Sequence, residues 1–137
     1  MAYVLAPAAN VMAIAEREFG AAAEIRFTGF SSCIGVIARQ GNNVTGVHLS
    51  MMAPDETWFN VQAAADTVAA LGGYHQVVVI GQLQMWEDTQ PVTEGYQSLI
   101  DQLTAPIFSE QDDGNYGGRV NNGTFQIYVN GAYIDVS

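Results

Sequence analysis

The sequence predicts an α+β domain spanning residues 1–137, in which a mixed or antiparallel, β-sandwich-like sheet carries flanking helices. Three observations carry that expectation. Gln40-Gly41-Asn42-Asn43 and Asn130-Gly131 are turn sequences set between apolar segments, and each places two strands antiparallel. Segments with apolar residues at helical spacing lie among the strands. Val77, Val78, Val79 and Ile80 follow one another between polar flanks, as in a strand buried on both faces. Two hairpins argue against a doubly wound parallel sheet.

The elements follow in order. Asn10 is placed to cap a first helix whose apolar side is Val11, Met12, Ile14, Ala15 and Phe19, with Gly20 as its stop. Glu24 to Phe30 alternates, Ile25 and Phe27 facing one way and Arg26 and Thr28 the other, which predicts a strand. After a break at Ser31 and Ser32, Cys33 to Arg39 is apolar, and Val44 to Met51 returns beyond the turn. Pro54 and Asp55 open a second helix through Trp58, Val61, Ala64, Ala65, Val68 and Leu71, closed by Gly72-Gly73. Gln76 to Gly81 is the buried strand. Thr93 to Leu103 is a third helix with Tyr96, Leu99, Ile100 and Leu103 on one side. Ser109 to Gly118, rich in Asp and Gly, reads as an exposed loop. Thr124 to Val129 and Ala132 to Val136 form the closing hairpin. Trp58 falls on the apolar stripe of the second helix and is expected in the core. Trp86, among Gln84, Glu87 and Asp88, is expected at the surface.

Composition removes several function classes. Of 137 residues, 49% are hydrophobic, enough for a core without metal or disulfide staples. The basic residues are Arg17, Arg26, Arg39 and Arg119, and lysine is absent. Against 14 acidic residues they leave a net charge of −10. Nucleic-acid binding needs a basic stripe to displace phosphate counterions, and none exists; an anionic membrane surface is disfavoured on the same ground. No apolar run approaches the ~18 residues of a membrane span. The start, MAYVLAPAANVMA, has no basic region and includes a proline, so it does not read as a secretory signal. The expected location is the cytoplasm where the chain is made, unless a signal-peptide-independent route exports it. A single cysteine excludes an internal disulfide. His48, His75 and the carboxylates have no metal-ligand spacing. Asp112-Asp113-Gly114 lacks the rest of a calcium loop, and phosphate-binding glycine patterns are missing, so no metal or cofactor is expected.

The chemistry concentrates in the first hairpin. With the turn centred between Gly41 and Asn42, Arg39 pairs with Val44, Ile37 with Gly46, Gly35 with His48 and Cys33 with Ser50. One face then holds Ile34, Val36, Ala38, Thr45, Val47, Leu49 and Met51. The other holds Cys33 and His48 as diagonal neighbours, roughly 7–8 Å apart at the backbone. Gly35, opposite His48, puts no side chain between them. A one-residue slip would part the pair but would also expose the apolar set. A thiol with a pKa near ~8.5 is lowered by a neighbouring histidine, giving a thiolate nucleophile and an acid for the leaving group. The N–H groups of Ser32 and Cys33 are candidate oxyanion donors. Thr28, Ser50 or a backbone carbonyl is the candidate partner for the second histidine nitrogen. Ser31, Ser50 and Trp86, with the Asp88–Val92 and Ser109–Gly118 loops, are expected at the rim of the site. Against this stands the common case of a lone cysteine that fills core space.

The stretch Phe27 to Leu49, FTGFSSCIGVIARQGNNVTGVHL, resembles the catalytic hairpin of glutamine deamidases, a group including the chemoreceptor deamidases and the catalytic domains of cytotoxic necrotizing factors. The shared pattern is a small-residue tripeptide ending in the nucleophile, here Ser31-Ser32-Cys33, then an apolar strand, a short turn, and a strand delivering histidine, here His48 in GVHL. Asn115 to Val120, NYGGRV, echoes the chemoreceptor branch, whereas a tripeptide beginning with Ser is closer to the toxin branch. The chemoreceptor branch usually has Gly-Ser-Cys, and Leu-Pro after the histidine, where this chain has Leu49-Ser50-Met51. Its upstream threonine corresponds to Thr28, displaced by one position. The resemblance implies a sandwich-like fold and hydrolysis of a glutamine side chain in a protein substrate, with Cys33 forming a thioester and His48 acting as base and acid. The alternative is a non-catalytic module on the same fold that binds a protein through its acidic surface.

Overall fold

A computed structural model describes residues 2–136. In chain order its elements are β1 (Ala6–Pro7), β2 (Glu18–Ala22), β3 (Glu24–Arg26), β4 (Ile34–Gln40), β5 (Asn43–Leu49), α1 (Val61–Leu71), β6 (Gln76–Gly81), α2 (Leu83–Asp88), α3 (Gln90–Gln102), β7 (Ile107–Glu110), β8 (Tyr116–Asn121), β9 (Thr124–Val129) and β10 (Ala132–Asp135). They make an α+β fold of two sheets, ordered β1-β2-β5-β4-β6-β7 and β10-β9-β8-β3. The larger sheet is mixed, because β1–β2 and β6–β7 are parallel while its other pairs are antiparallel. The smaller is antiparallel throughout.

The period-2 alternation of β4, β5 and β6 serves two cores at once. Ile34, Val36, Ala38, Val47, Leu49, Val77 and Val79 point to the helical side, against Ala63, Ala64 and Leu71 of α1 and Tyr96 and Leu99 of α3. Cys33, Ile37, Val44, Val78 and Ile80 point to the smaller sheet, against Ile25, Phe27, Tyr116, Phe125 and Ile127. Each such aliphatic side chain contributes roughly 1.5–3 kcal/mol by leaving water. The predicted register holds: Arg39 pairs with Val44, Ile37 with Gly46 and Gly35 with His48. The ladder starts at Ile34–Leu49, so Cys33 and Ser50 lie just outside it.

Several expectations are corrected. No helix forms over 10–20. Asn10 Oδ1 accepts the Met12 N–H at 2.9 Å, making an isolated turn, and Ile14 then bonds to Arg26 and Thr28 through its N–H (2.8 Å) and carbonyl (2.9 Å). Glu18–Ala22 becomes a strand because β5 has a free edge there, and the ladder outweighs the local helical pattern. The strand predicted to Phe30 stops at Arg26. The second helix starts at Val61 rather than at Pro54: Asp55 holds a turn by accepting the Thr57 N–H at 3.1 Å, and Asn60 is the cap, its Oδ1 3.0 Å from the Ala63 nitrogen. Phe59 therefore enters the core, while Trp58 is 40% exposed. Trp86 is wholly buried, because Leu83–Asp88 forms α2 and turns it onto Phe59 and Tyr96. The Asp88–Val92 segment is not a loop: α3 begins at Gln90. Both ends of the predicted 109–118 loop belong to strands β7 and β8.

Candidate active site

Cys33 and His48 meet between the two sheets. Cys33 ends the tripeptide just before β4, and His48 stands near the end of β5 on the same face. Their exposures are 1% and 0%. A third group joins them from a part of the chain the sequence pattern did not implicate. The carboxylate of Glu16 reaches in from the segment before β2, its Oε2 3.4 Å from Cys33 Sγ. One donor atom from each of Glu16, Cys33 and His48 lies within 4.8 Å of the other two.

The orientation of His48 is set by the backbone. Its Nδ1 is 2.8 Å from the carbonyl oxygen of Ile14, which can only accept, so Nδ1 carries the proton in the neutral ring. Nε2 is then an unprotonated acceptor. It is buried and has no hydrogen-bond partner. Thr28, the expected third member, has its hydroxyl 3.5 Å from Nδ1, at the limit of a hydrogen bond and behind the Ile14 carbonyl in strength. Phe27 and Phe30 flank the imidazole, with ring centroids 5.4 and 4.7 Å from it. The space above Gly35 is filled by these two rings, since a Cβ there would stand 2.7 Å from Phe27 and 3.0 Å from Phe30. Gly35 therefore admits the aromatic wall beside His48.

The cysteine turn is clamped from both sides. Ser32 has a φ of 61°, a left-handed conformation that non-glycine residues adopt only when neighbours hold it. Its N–H donates to Asp113 Oδ1 at 2.8 Å, and its carbonyl accepts from Trp86 Nε1 at 2.9 Å. Gln82 Nε2 anchors the same Asp113 oxygen at 2.7 Å. Arg17, at a φ of 63°, carries the Glu16 loop past the site. Its N–H donates to the His48 carbonyl at 2.6 Å, and its guanidinium contacts Glu16 Oε1 at 3.3 Å and Ser50 Oγ at 2.7 Å.

These contacts reassign several candidates. Ser32 cannot serve as an oxyanion donor while its N–H holds Asp113, which leaves the Cys33 N–H as the candidate. Trp86 shapes the turn from inside and is not part of a rim. Ser50 is buried, tied to Tyr3 and Arg17. Of Ser31, Ser50 and Trp86, Ser31 alone is exposed, and its carbonyl lies 3.4 Å from Cys33 Sγ. Glu16 was missed because residues 10–20 read as a helix, whereas Asp113 falls in the 109–118 segment expected at the rim and proves to hold the Ser32 turn. A surface cleft of about 610 Å³ is lined by residues such as Tyr3, Leu5, Phe19 and Asn60 rather than by the dyad.

The electrostatics favour a neutral pair at rest. Burial, reinforced by the nearby Glu16 carboxylate, pushes the Cys33 thiol up to about 12. Burial likewise holds His48 below its ordinary value, against the opposing pull of the Ile14 carbonyl and Glu16. A resting thiolate–imidazolium pair, expected from the sequence, is therefore not the state of this closed site. The arrangement suits a base that takes the proton as sulfur attacks.

The class that fold and site define is an α+β sandwich with a buried Cys–His pair and an acidic side chain over it. No protein-family model matches the chain, and no curated protein matches it either.

Proposed function

We propose that the chain is a cysteine-dependent protein glutamine deamidase, converting a glutamine side chain of a protein partner to glutamate with release of ammonia. The observation that carries this reading is that His48, clustered with the chain's only cysteine, has its Nδ1–H tied to Ile14 and its Nε2 without a partner. A histidine serving the core alone would find partners for both nitrogens. The resemblance of Phe27–Leu49 to deamidase hairpins supplies the substrate class.

The reaction balances with these groups. Cys33 Sγ attacks the carboxamide carbon while its proton passes to His48 Nε2. The oxyanion is received by the Cys33 N–H. The imidazolium then protonates the departing nitrogen, ammonia leaves and a thioester remains. Water gives a proton to Nε2 and its oxygen to the thioester carbon. The glutamate acid departs as the proton returns to sulfur. Entry starts at Glu16, whose side chain is 40% exposed and must swing off Sγ to admit the amide.

The test is ammonia release from a panel of glutamine-containing proteins and peptides, with the modified glutamine located by peptide mass. Wild type releases ammonia, and Cys33→Ala and His48→Ala do not. Release from no substrate above the Cys33→Ala background sinks the reading.

The near-complete burial of Cys33 favours a second reading, an acidic protein-binding module in which the thiol only fills space. Under it Cys33→Ser binds its partner as wild type does, while charge reversal at Asp112 abolishes binding. Asp113 is the poorer probe, since it also holds Ser32.

A further inference from the structure

Among the described residues, Glu16, Cys33 and His48 are the only group of at least three His, Cys, Asp or Glu side chains close enough to share an ion. We propose that these residues hold a single soft divalent cation, with zinc matching the donor set, and with the fourth position open toward solvent on the Glu16 side.

The cysteine is not the ground for this. The ground is the fully buried His48, which contributes one ring nitrogen to the cluster with Sγ and the carboxylate and whose Nε2 has no hydrogen-bond partner. Metal-bound histidines characteristically donate their other N–H to a carbonyl or carboxylate, which fixes the tautomer and aims the lone pair. Here Nδ1 makes that bond to Ile14. Glu16 is braced in the same way: Arg17 lies 3.3 Å from Oε1 while Oε2 faces the sulfur.

The dimensions fit a small ion. Bond lengths of about 2.0–2.3 Å in a tetrahedron place zinc ligands about 3.4–3.6 Å apart. Sγ and Oε2 are already at 3.4 Å, and the widest separation in the cluster, within 4.8 Å, closes by a side-chain shift of about 1 Å. On binding, the thiol proton leaves to solvent. One thiolate and one carboxylate then balance the dication, with the imidazole neutral. A thiolate and an imidazole select zinc, cobalt or cadmium over magnesium and calcium.

Occupancy takes both Cys33 and His48 out of acyl transfer, so the ion acts as a reversible off-switch. That consequence alone rests on the deamidase reading; the site does not.

The experiment is a cobalt(II) titration of the reduced, chelator-treated full chain, followed by zinc. The expected result is one equivalent of cobalt giving a thiolate-to-metal charge-transfer band in the near ultraviolet. Zinc displaces it and magnesium does not. Cys33→Ser abolishes the band. His48→Ala and Glu16→Gln each weaken cobalt binding by about tenfold or more; the Glu16 side chain is partly exposed, so that variant keeps its fold. No band in wild type overturns the site, and so does an unchanged affinity in Glu16→Gln and His48→Ala, since sulfur alone would then be responsible. Ammonia release without a cobalt band leaves the deamidase and removes the metal. A cobalt band with no ammonia release from any substrate does the reverse.

Discussion

The Nδ1 atom of His48 lies 2.8 Å from the carbonyl oxygen of Ile14, a residue 34 positions earlier. That contact decides what His48 can do, because it fixes which nitrogen holds the proton and leaves Nε2 an unprotonated acceptor without a partner.

Glu16 restrains the thiol, so its removal speeds alkylation. With burial and the Glu16 carboxylate holding Cys33 up at about 12, the wild-type iodoacetamide rate is slow at neutral pH and climbs well into alkali. Glu16→Gln removes the charge while keeping an acceptor oxygen, and the rate at neutral pH rises by about three- to tenfold. Mass-detected alkylation against pH measures it. Equal rates in both proteins would show that the carboxylate does not act on the sulfur.

His48 makes stability fall in acid. Its folded value is depressed by burial, so the unfolded chain takes up a proton below about pH 6.5 while the folded chain resists. The stability this provides is present above that pH and lost as pH falls toward the folded value. His48→Asn keeps a donor for Ile14 but has no proton to gain. Urea midpoints between pH 7 and 5 are expected to drop in wild type and to drop less in the variant. Parallel decline in the two proteins would place the acid sensitivity elsewhere.

Thr28 is close to expendable. Its hydroxyl is 3.5 Å from Nδ1, and the Ile14 carbonyl already accepts from that atom. Thr28→Val is expected to cost less than about 0.5 kcal/mol in urea unfolding and to leave the pH profile of alkylation in place. A shift of that profile would restore Thr28 to the catalytic set.

Trp86 and Asp113 hold Ser32 in its left-handed turn. Trp86→Phe keeps the ring but leaves the Ser32 carbonyl without its donor, costing about 1–3 kcal/mol. Asp113→Asn retains the Oδ1 acceptor and is milder than Asp113→Ala. Denaturant midpoints rank the three variants, and Asp113→Ala is expected to make Cys33 alkylation less dependent on His48. Identical midpoints for Asp113→Ala and wild type would mean that Asp113 does not hold the turn.

Gly35 tests the aromatic wall. A methyl group there meets Phe27 at 2.7 Å and Phe30 at 3.0 Å, and both rings also touch His48. Gly35→Ala is expected to destabilise by about 1–3 kcal/mol and to shift the imidazole resonances in NMR spectra. A neutral substitution with unchanged resonances would mean that the rings give way freely.

The sequence by itself determined the parts of this protein that depend on neighbours along the chain. The turn at Gly41-Asn42 and the alternation of β4 and β5 set the register, and the register put Cys33 and His48 on one face. Local pattern sufficed there because a one-residue slip would invert every buried side chain. The same reasoning located β6, the bulk of α1 and α3, and the closing hairpin.

Tertiary structure alone decided the rest. Residues 10–20 carry a helical pattern, yet the open edge of β5 and the carbonyl of Arg26 bind their backbone more effectively than a helix would. Trp58 and Trp86 exchanged their expected places because helix starts at Asn60 and Leu83 rotated them, and a sequence pattern fixes a helix's period better than its first residue. Glu16 and the Ile14 carbonyl join the site from a segment whose helical pattern misled, and Asp113 from a loop without periodicity. Their positions follow from which buried donors and acceptors remain unpaired once the two sheets pack, and that balance exists only in three dimensions.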